Sequence, residues 1–121
     1  MEINVYSLRT DQKLDNIKEI LSNYRCSVDV LVLTGVWVYE NEIANFSIDN
    51  FKIYSATRDV SRSGGVLIHV SNKYDSILLE RKCGINIEIL VVRIESLNLN
   101  IIAYYRSSNS SFYDFFDMHT V

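Results

Sequence analysis

The chain of 121 residues contains no proline, only four glycines and only two cysteines. Cys26 and Cys83 lie far apart and form no C-x-x-C pair, which argues against a structural zinc site and against a disulfide framework. No window approaches the ~18 consecutive apolar residues that a membrane span needs. The N-terminus has neither the basic nor the apolar region of a secretory signal. These absences predict an intracellular protein that is not inserted in a membrane.

A strong excess of basic residues is also lacking, because the formal net charge is −3. Phosphate affinity comes mainly from Lys and Arg, so this balance argues against a broad nucleic-acid-binding surface, although a local basic patch stays open. The composition, with 48% hydrophobic and 22% charged residues, is that of a globular protein. The length corresponds to one domain.

The first third of the sequence predicts a strand, a helix and a second strand. A short apolar run begins at Ile3, and apolar residues then recur at steps of three and four between Leu14 and Tyr24. The run at 28–34 is almost continuously apolar, which is typical of a strand covered on both faces. This order is the opening of an α/β domain.

The rest of the sequence predicts short strands at 51–56, 65–70, 74–79, 87–94 and 97–105, followed by a short helix at 111–116. The turns between these strands leave no room for crossover helices, so we expect antiparallel neighbours. One long helix is too little to cover so many apolar strands. We therefore expect the chain to self-associate through an exposed sheet or to belong to a larger assembly.

Taken one at a time, the polar and aromatic motifs have ordinary structural interpretations. Ser63–Gly65 precedes a strand rather than a helix and predicts a turn rather than a phosphate-binding loop. Arg58 and Arg62 flank this turn and could meet a phosphate backbone, or could simply be solvated. His69 lies within a strand without a G-x-S-x-G motif. Trp37 is interpreted as an anchor at the rim of the buried strand.

Taken together, several segments resemble the endonuclease/exonuclease/phosphatase family, in particular the endonuclease domain of non-LTR retrotransposons. The segments follow the family's order and are Asn4–Arg9, 14–17, Asp29–Trp37, Arg58–Ile68, 88–92 and 101–106. The family's usual run is Asn-x-x-Ser-Leu-Arg, a helix, a strand ending Leu-Thr-Glu-Thr-Trp, an Arg-Ser-Gly-Gly-Val turn, and a strand pair ending Tyr-Arg-Pro-Pro. The resemblance covers essentially the whole chain.

The resemblance implies an incomplete four-layer α/β sandwich, with mixed and mostly antiparallel sheets, formed by residues 1–121 as the N-terminal portion of the domain. It implies hydrolysis of DNA phosphodiester bonds with Mg²⁺, which activates the phosphate. Asn4 matches the asparagine after the first strand, Tyr105 matches the phosphate-contacting tyrosine, and Asn109 is a looser match to a downstream asparagine. Arg106 joins the two arginines of the turn region as an expected contact to nucleic acid.

The chain departs from the family at the residues that perform the chemistry. Gly35 stands where the family has its metal-binding glutamate, and glycine offers no side-chain ligand. Glu40 is nearby in sequence, but we expect it to point elsewhere. The family's Gly-Asp-x-Asn motif and terminal Asp-His pair have no counterpart within residues 1–121. We therefore expect a truncated endonuclease domain that neither binds Mg²⁺ nor hydrolyses DNA.

Two alternatives stay open. The chain could be a non-catalytic interaction module that keeps the fold and binds partners through its exposed sheet. It could also be an unrelated small α/β binding protein, if the order of the motifs is a coincidence.

Overall fold

The computed structural model describes residues 1–5, 8, 12–23, 28–57, 64–84 and 87–106, with Asn4 described by its backbone. These residues form an α-helix, seven strands in two sheets and two short 3₁₀ helices. The helix is α1 (Lys13–Asn23), the 3₁₀ helices are Glu40–Phe46 and Glu95–Leu97, and the strands are β1 (Glu2–Asn4), β2 (Val30–Thr34), β3 (Phe51–Ala56), β4 (Val66–Ser71), β5 (Ser76–Gly84), β6 (Ile87–Ile94) and β7 (Leu99–Arg106).

The first sheet, sheet A, has the strand order β1-β2-β4-β3. β1 runs parallel to β2, whereas the β2–β4 and β3–β4 pairs are antiparallel. β4 is buried from Val66 to Val70, on both of its faces. A strand that is mostly apolar on both faces, as β4 is, matches a position between two covering layers.

The second sheet, sheet B, is an antiparallel meander in the order β5-β6-β7. A register shift between Leu78 and Glu80 interrupts the β5–β6 pairing, whereas the β6–β7 pairing is regular from end to end. Along β6, Leu90, Val92 and Ile94 face sheet A and join the core there. The alternate residues of the strand face the opposite side of sheet B.

Two apolar cores hold these layers together. The first lies between sheet A and the segments that cover it, and α1 contributes Ile17 to it. The second lies between the two sheets, where the hydroxyl of Tyr54 is 2.8 Å from Oγ of Ser76 in a buried hydrogen bond. The described residues thus form a helical layer, sheet A and sheet B, in that order.

The structure confirms the predicted α/β class and the predicted antiparallel β3–β4, β5–β6 and β6–β7 pairs, but it corrects two expectations. Consecutive strands β4 and β5 were expected to pair, yet they belong to different sheets. β5 extends to Gly84 rather than ending at 79, because an edge strand can carry exposed charged side chains such as Arg81. The helix predicted at 111–116 lies outside the described residues. Among the described residues, no helix has the length and apolar character to cross a membrane.

Candidate functional site at the end of the two sheets

Three strands of sheet A bring the predicted site positions to one end of the sheet. Asn4 at the end of β1 pairs in register with Thr34 at the end of β2, and Thr34 pairs with Val66 at the start of β4. The N–H group of Val5 donates to the carbonyl oxygen of Thr34 at 2.9 Å and extends this row by one residue. Asn4 and Gly35, which are far apart in sequence, therefore lie at neighbouring strand ends.

The segment after β2 is held against the glycine turn that precedes β4. The N–H of Gly35 donates to the carbonyl oxygen of Gly65 at 2.9 Å, and the N–H of Trp37 donates to that of Gly64 at 2.9 Å. Gly35 has a φ of 67°, a backbone conformation that glycine adopts without strain. The turn at Gly64 and Gly65 leads into β4, as the sequence predicts. Its carbonyl groups also hold the backbone of Gly35 and Trp37 in place.

Trp37, for which the sequence predicts an anchoring position at the rim of the buried strand, lies partly at the surface. Its side chain is 41% exposed, whereas Val36 and Val38 on either side are buried. The two valines pack into the first core, and the tryptophan between them is directed to the surface. The sequence pattern could not distinguish these neighbours, because all three are large and apolar.

A buried carboxylate that was not among the predicted site residues lies beneath the glycine turn. Glu88 is fully buried on β6 and pairs in register with Tyr105 on β7. A β-carbon added to Gly64 would lie 2.9 Å from Oε1 of Glu88 and 3.2 Å from Cδ1 of Tyr105. The turn thus packs its backbone directly on both side chains. An acidic residue within the apolar run from Ile87 to Val92 was the available signal, since a buried charge is costly and seldom incidental.

A cleft of about 380 Å³ opens beside this cluster, where β7 approaches β1 and β2. Its lining combines polar and aromatic groups with the charges of Glu2 and Arg106, and comprises Glu2, Val32, Thr34, Ile102, Ala103, Tyr104, Tyr105 and Arg106. The structure therefore brings Tyr105 and Arg106 together in one cleft next to the end of β2. Asn109, Arg58 and Arg62, the other predicted site residues, lie outside the described residues.

The described residues do not provide a fitting site for Mg²⁺. Gly35 supplies no ligand, and the carboxylate of Glu40 accepts hydrogen bonds from Ser55 and Thr57 and lies 3.0 Å from Nη2 of Arg81. The Glu40 carboxylate therefore interacts with residues of β3, of the segment just after β3 and of β5, on the side of the sandwich away from β1 and β7. Within the described ranges, no group of three or more His, Cys, Asp or Glu residues could hold a metal ion.

His69, another buried titratable group among the described residues, lies in β4 at the centre of sheet A. Its Nε2–H donates to the carbonyl oxygen of Phe46 at 3.0 Å, and its Nδ1 is buried without a hydrogen-bond partner in the described part of the chain. Desolvation lowers the pKa of His69 below its usual value. The imidazole is therefore neutral and structural rather than part of a catalytic arrangement.

Neither a comparison with protein-family models nor a comparison with curated proteins finds a match for this chain.

Proposed function

We propose that the chain is the N-terminal portion of an endonuclease/exonuclease/phosphatase-like domain, related to the DNA endonucleases of non-LTR retrotransposons, that does not hydrolyse DNA. One observation carries this proposal: the positions of Asn4, Gly35 and Tyr105, chosen from motif order alone, lie at the same end of two packed sheets. The turn at Gly64 links them, because it bonds to the segment after β2 and packs on Tyr105. Motifs that matched by coincidence would not be expected to converge in this way.

The two packed sheets also favour the finer fold that the resemblance implies. In a four-layer α/β sandwich, helices cover the outer faces of two stacked sheets. The described part of the chain has the helical layer on sheet A and the stacked sheet B. We propose that these are the first three layers of such a sandwich.

We propose that the site binds a phosphodiester, whereas the described residues around it do not supply the groups that would cleave one. Arg106 lines the cleft and offers a planar array of donors that suits a phosphate group. Tyr105 lines the same cleft. Cleavage needs a general base and stabilisation of the developing charge, which this family derives from Mg²⁺ and its carboxylates. Gly35 supplies no carboxylate for Mg²⁺, and the carboxylate of Glu40 is occupied by its contacts with Ser55, Thr57 and Arg81.

A titration of the ¹⁵N-labelled chain with a short DNA duplex tests the location of this site. We expect amide shifts at Thr34, Gly64, Tyr105 and Arg106, with weak binding that decreases further as salt is added. The variant Arg106→Gln should reduce the shifts, and the control Arg93→Gln, on the same sheet but outside the cleft, should leave them in place. Shifts confined to residues far from the cleft would contradict the proposal.

The second candidate function is a non-catalytic interaction module, which the surface of sheet B favours. Most of the exposed large apolar side chains of the described residues are on its edge strands, namely Ile77, Leu78 and Leu79 on β5 and Leu99, Ile102 and Tyr104 on β7. Exposed apolar side chains at a sheet edge can provide an interaction site, and they are also an aggregation hazard.

A further inference from the structure

The β7 edge of sheet B differs from the other sheet edges of the described fold. Natural proteins protect sheet edges with short strands, charged side chains or bulges. β1 has only three residues, and β3 carries the exposed Lys52. β5 has both a register shift and the consecutive charges Glu80, Arg81 and Lys82.

β7 has none of these protections along most of its length. It has eight residues, pairs regularly with β6 and carries a single charged residue, Arg106, at its end. Among the described strands, only β6 pairs with it. Ile102 and Tyr104, on the face away from sheet A, are 56% and 54% exposed. A long, regular and mostly uncharged edge of this kind is suited to pairing with another strand.

The sequence of β7 is complementary to itself in an antiparallel arrangement. A two-fold axis perpendicular to the sheet at Ala103 would place Tyr104 opposite Ile102 of a second copy. It would also place Arg106 opposite Asn100, so that no like charges meet. Aromatic and β-branched residues directly opposite each other stabilise antiparallel pairs. The corresponding arrangement of β5 with itself, centred on Glu80, would bring two glutamates together.

We propose that β7 pairs antiparallel with β7 of a second copy of this chain, which joins two copies of sheet B into one continuous sheet. This inference rests on the interaction module proposed above and names its partner. A two-fold contact of this type is closed, because each copy uses its β7 edge once. The pairing lies next to the cleft, since Ile102 and Tyr104 also line that cleft.

Light scattering after size exclusion, over a wide range of concentrations, tests the oligomeric state of the whole chain. We expect a mass of twice 14.0 kDa for the wild type. Ile102→Lys and Tyr104→Glu should each weaken the dimer by about tenfold or more, because each places a charge opposite an apolar side chain. Ile77→Lys is the matched control, since Ile77 is exposed on the same face but at the β5 edge, and this variant should stay dimeric.

Mixing the two interface variants tests the register. In the mixed pair, Lys at position 102 of one copy faces Glu at position 104 of the other, so a dimer should form again. A mixture that stays monomeric, or an Ile77→Lys variant that dissociates as readily, would overturn the proposed pairing. A wild-type chain that is monomeric at every concentration would overturn the self-pairing but not the interaction module. A polydisperse wild-type aggregate would contradict both.

Discussion

Gly64 lies directly on the carboxylate of Glu88, so that a β-carbon at position 64 would stand 2.9 Å from Oε1 and 3.0 Å from Oε2. These two residues connect sheet A to sheet B at the end where the candidate site lies. Two features therefore favour glycine at position 64. A β-carbon would be too close to the Glu88 carboxylate, and φ is positive, at 76°, which glycine adopts without strain. The geometry of the site therefore depends on a residue without a side chain.

Replacement of this glycine should destabilise the fold. We expect Gly64→Ala to lower the free energy of unfolding by about 1–3 kcal/mol, the usual cost of a side chain in a strained backbone conformation, with a further contribution from the contact with Glu88. Urea unfolding followed by the fluorescence of Trp37, the only tryptophan, measures this change. Gly84→Ala is the control, since φ at Gly84 is not positive. Equal stability of wild type and Gly64→Ala would contradict the described packing.

The hydrogen bond between Tyr54 and Ser76 should contribute to the packing of the two sheets. Tyr54→Phe leaves the buried hydroxyl of Ser76 without this partner, and we expect a loss of about 1 kcal/mol in the free energy of unfolding. The double variant Tyr54→Phe, Ser76→Ala should lose less than the sum of the single variants, because both remove the same bond. Strict additivity in this double-mutant cycle would indicate that the bond does not stabilise the protein.

His69 should make the fold sensitive to acid. Burial depresses its pKa in the folded state, so the unfolded chain takes up the proton first as the pH falls. The neutral imidazole makes its full contribution to the free energy of unfolding above the unfolded-state pKa of about 6.5. As the pH falls from there towards the lowered pKa of the folded state, the free energy of unfolding decreases by up to about 1.4 kcal/mol per pH unit.

Measurement of unfolding free energies between pH 8 and pH 5 (roughly the range in which histidine titrates) tests this dependence. His69→Gln keeps a donor for the carbonyl oxygen of Phe46 but cannot titrate. We expect its stability to change less with pH than that of the wild type. Parallel pH profiles for the two proteins would show that His69 is not the group responsible.

Glu40 should act as a structural residue and not as a metal ligand. Glu40→Ala removes the acceptor for Ser55 and Thr57 and the ion pair with Arg81. Because the Glu40 and Arg81 side chains are 32% and 39% exposed, we expect a loss of only about 1 kcal/mol in stability.

Mg²⁺ should leave the melting temperature of the wild type and of Glu40→Ala unchanged. A ligand at one hundred times its Kd would stabilise a protein by about 2.7 kcal/mol, which thermal unfolding would readily detect. A rise in melting temperature of the wild type alone would instead identify Glu40 as a Mg²⁺ ligand.

The sequence was sufficient to predict the elements with strong periodicity. The apolar repeat around Ile17 identified α1, the almost continuously apolar run at 28–34 identified β2, and a short β-rich run identified β4. The division into two sheets was not predictable in the same way, because a short polar turn separates β4 from β5 as it separates paired strands. Local patterns report which face of a strand is apolar, but not which strand lies beside it.

The order of the motifs was enough to predict which strand ends form the candidate site. It was not enough to predict the side chains that reach the site through packing between the sheets. The motifs placed Asn4, Gly35 and Tyr105 at strand ends, which is where they lie. Glu88 was missed because its importance depends on the approach of Gly64 from the other sheet, a contact between residues distant in sequence. The degree of exposure of Trp37 was not predictable for a similar reason, since it depends on the hydrogen bonds between its loop and the glycine turn.

The claim that this site no longer hydrolyses DNA is tested most directly by a plasmid-nicking assay with Mg²⁺. We predict no metal-dependent conversion of supercoiled to open-circular DNA by the purified chain, because Gly35 supplies no ligand and Glu40 is bound to β3 and β5. Any trace activity should separate from the protein during purification and should be equal in Asn4→Ala and Tyr105→Phe preparations. Nicking that requires Mg²⁺, elutes with the chain and disappears in Asn4→Ala would contradict this account.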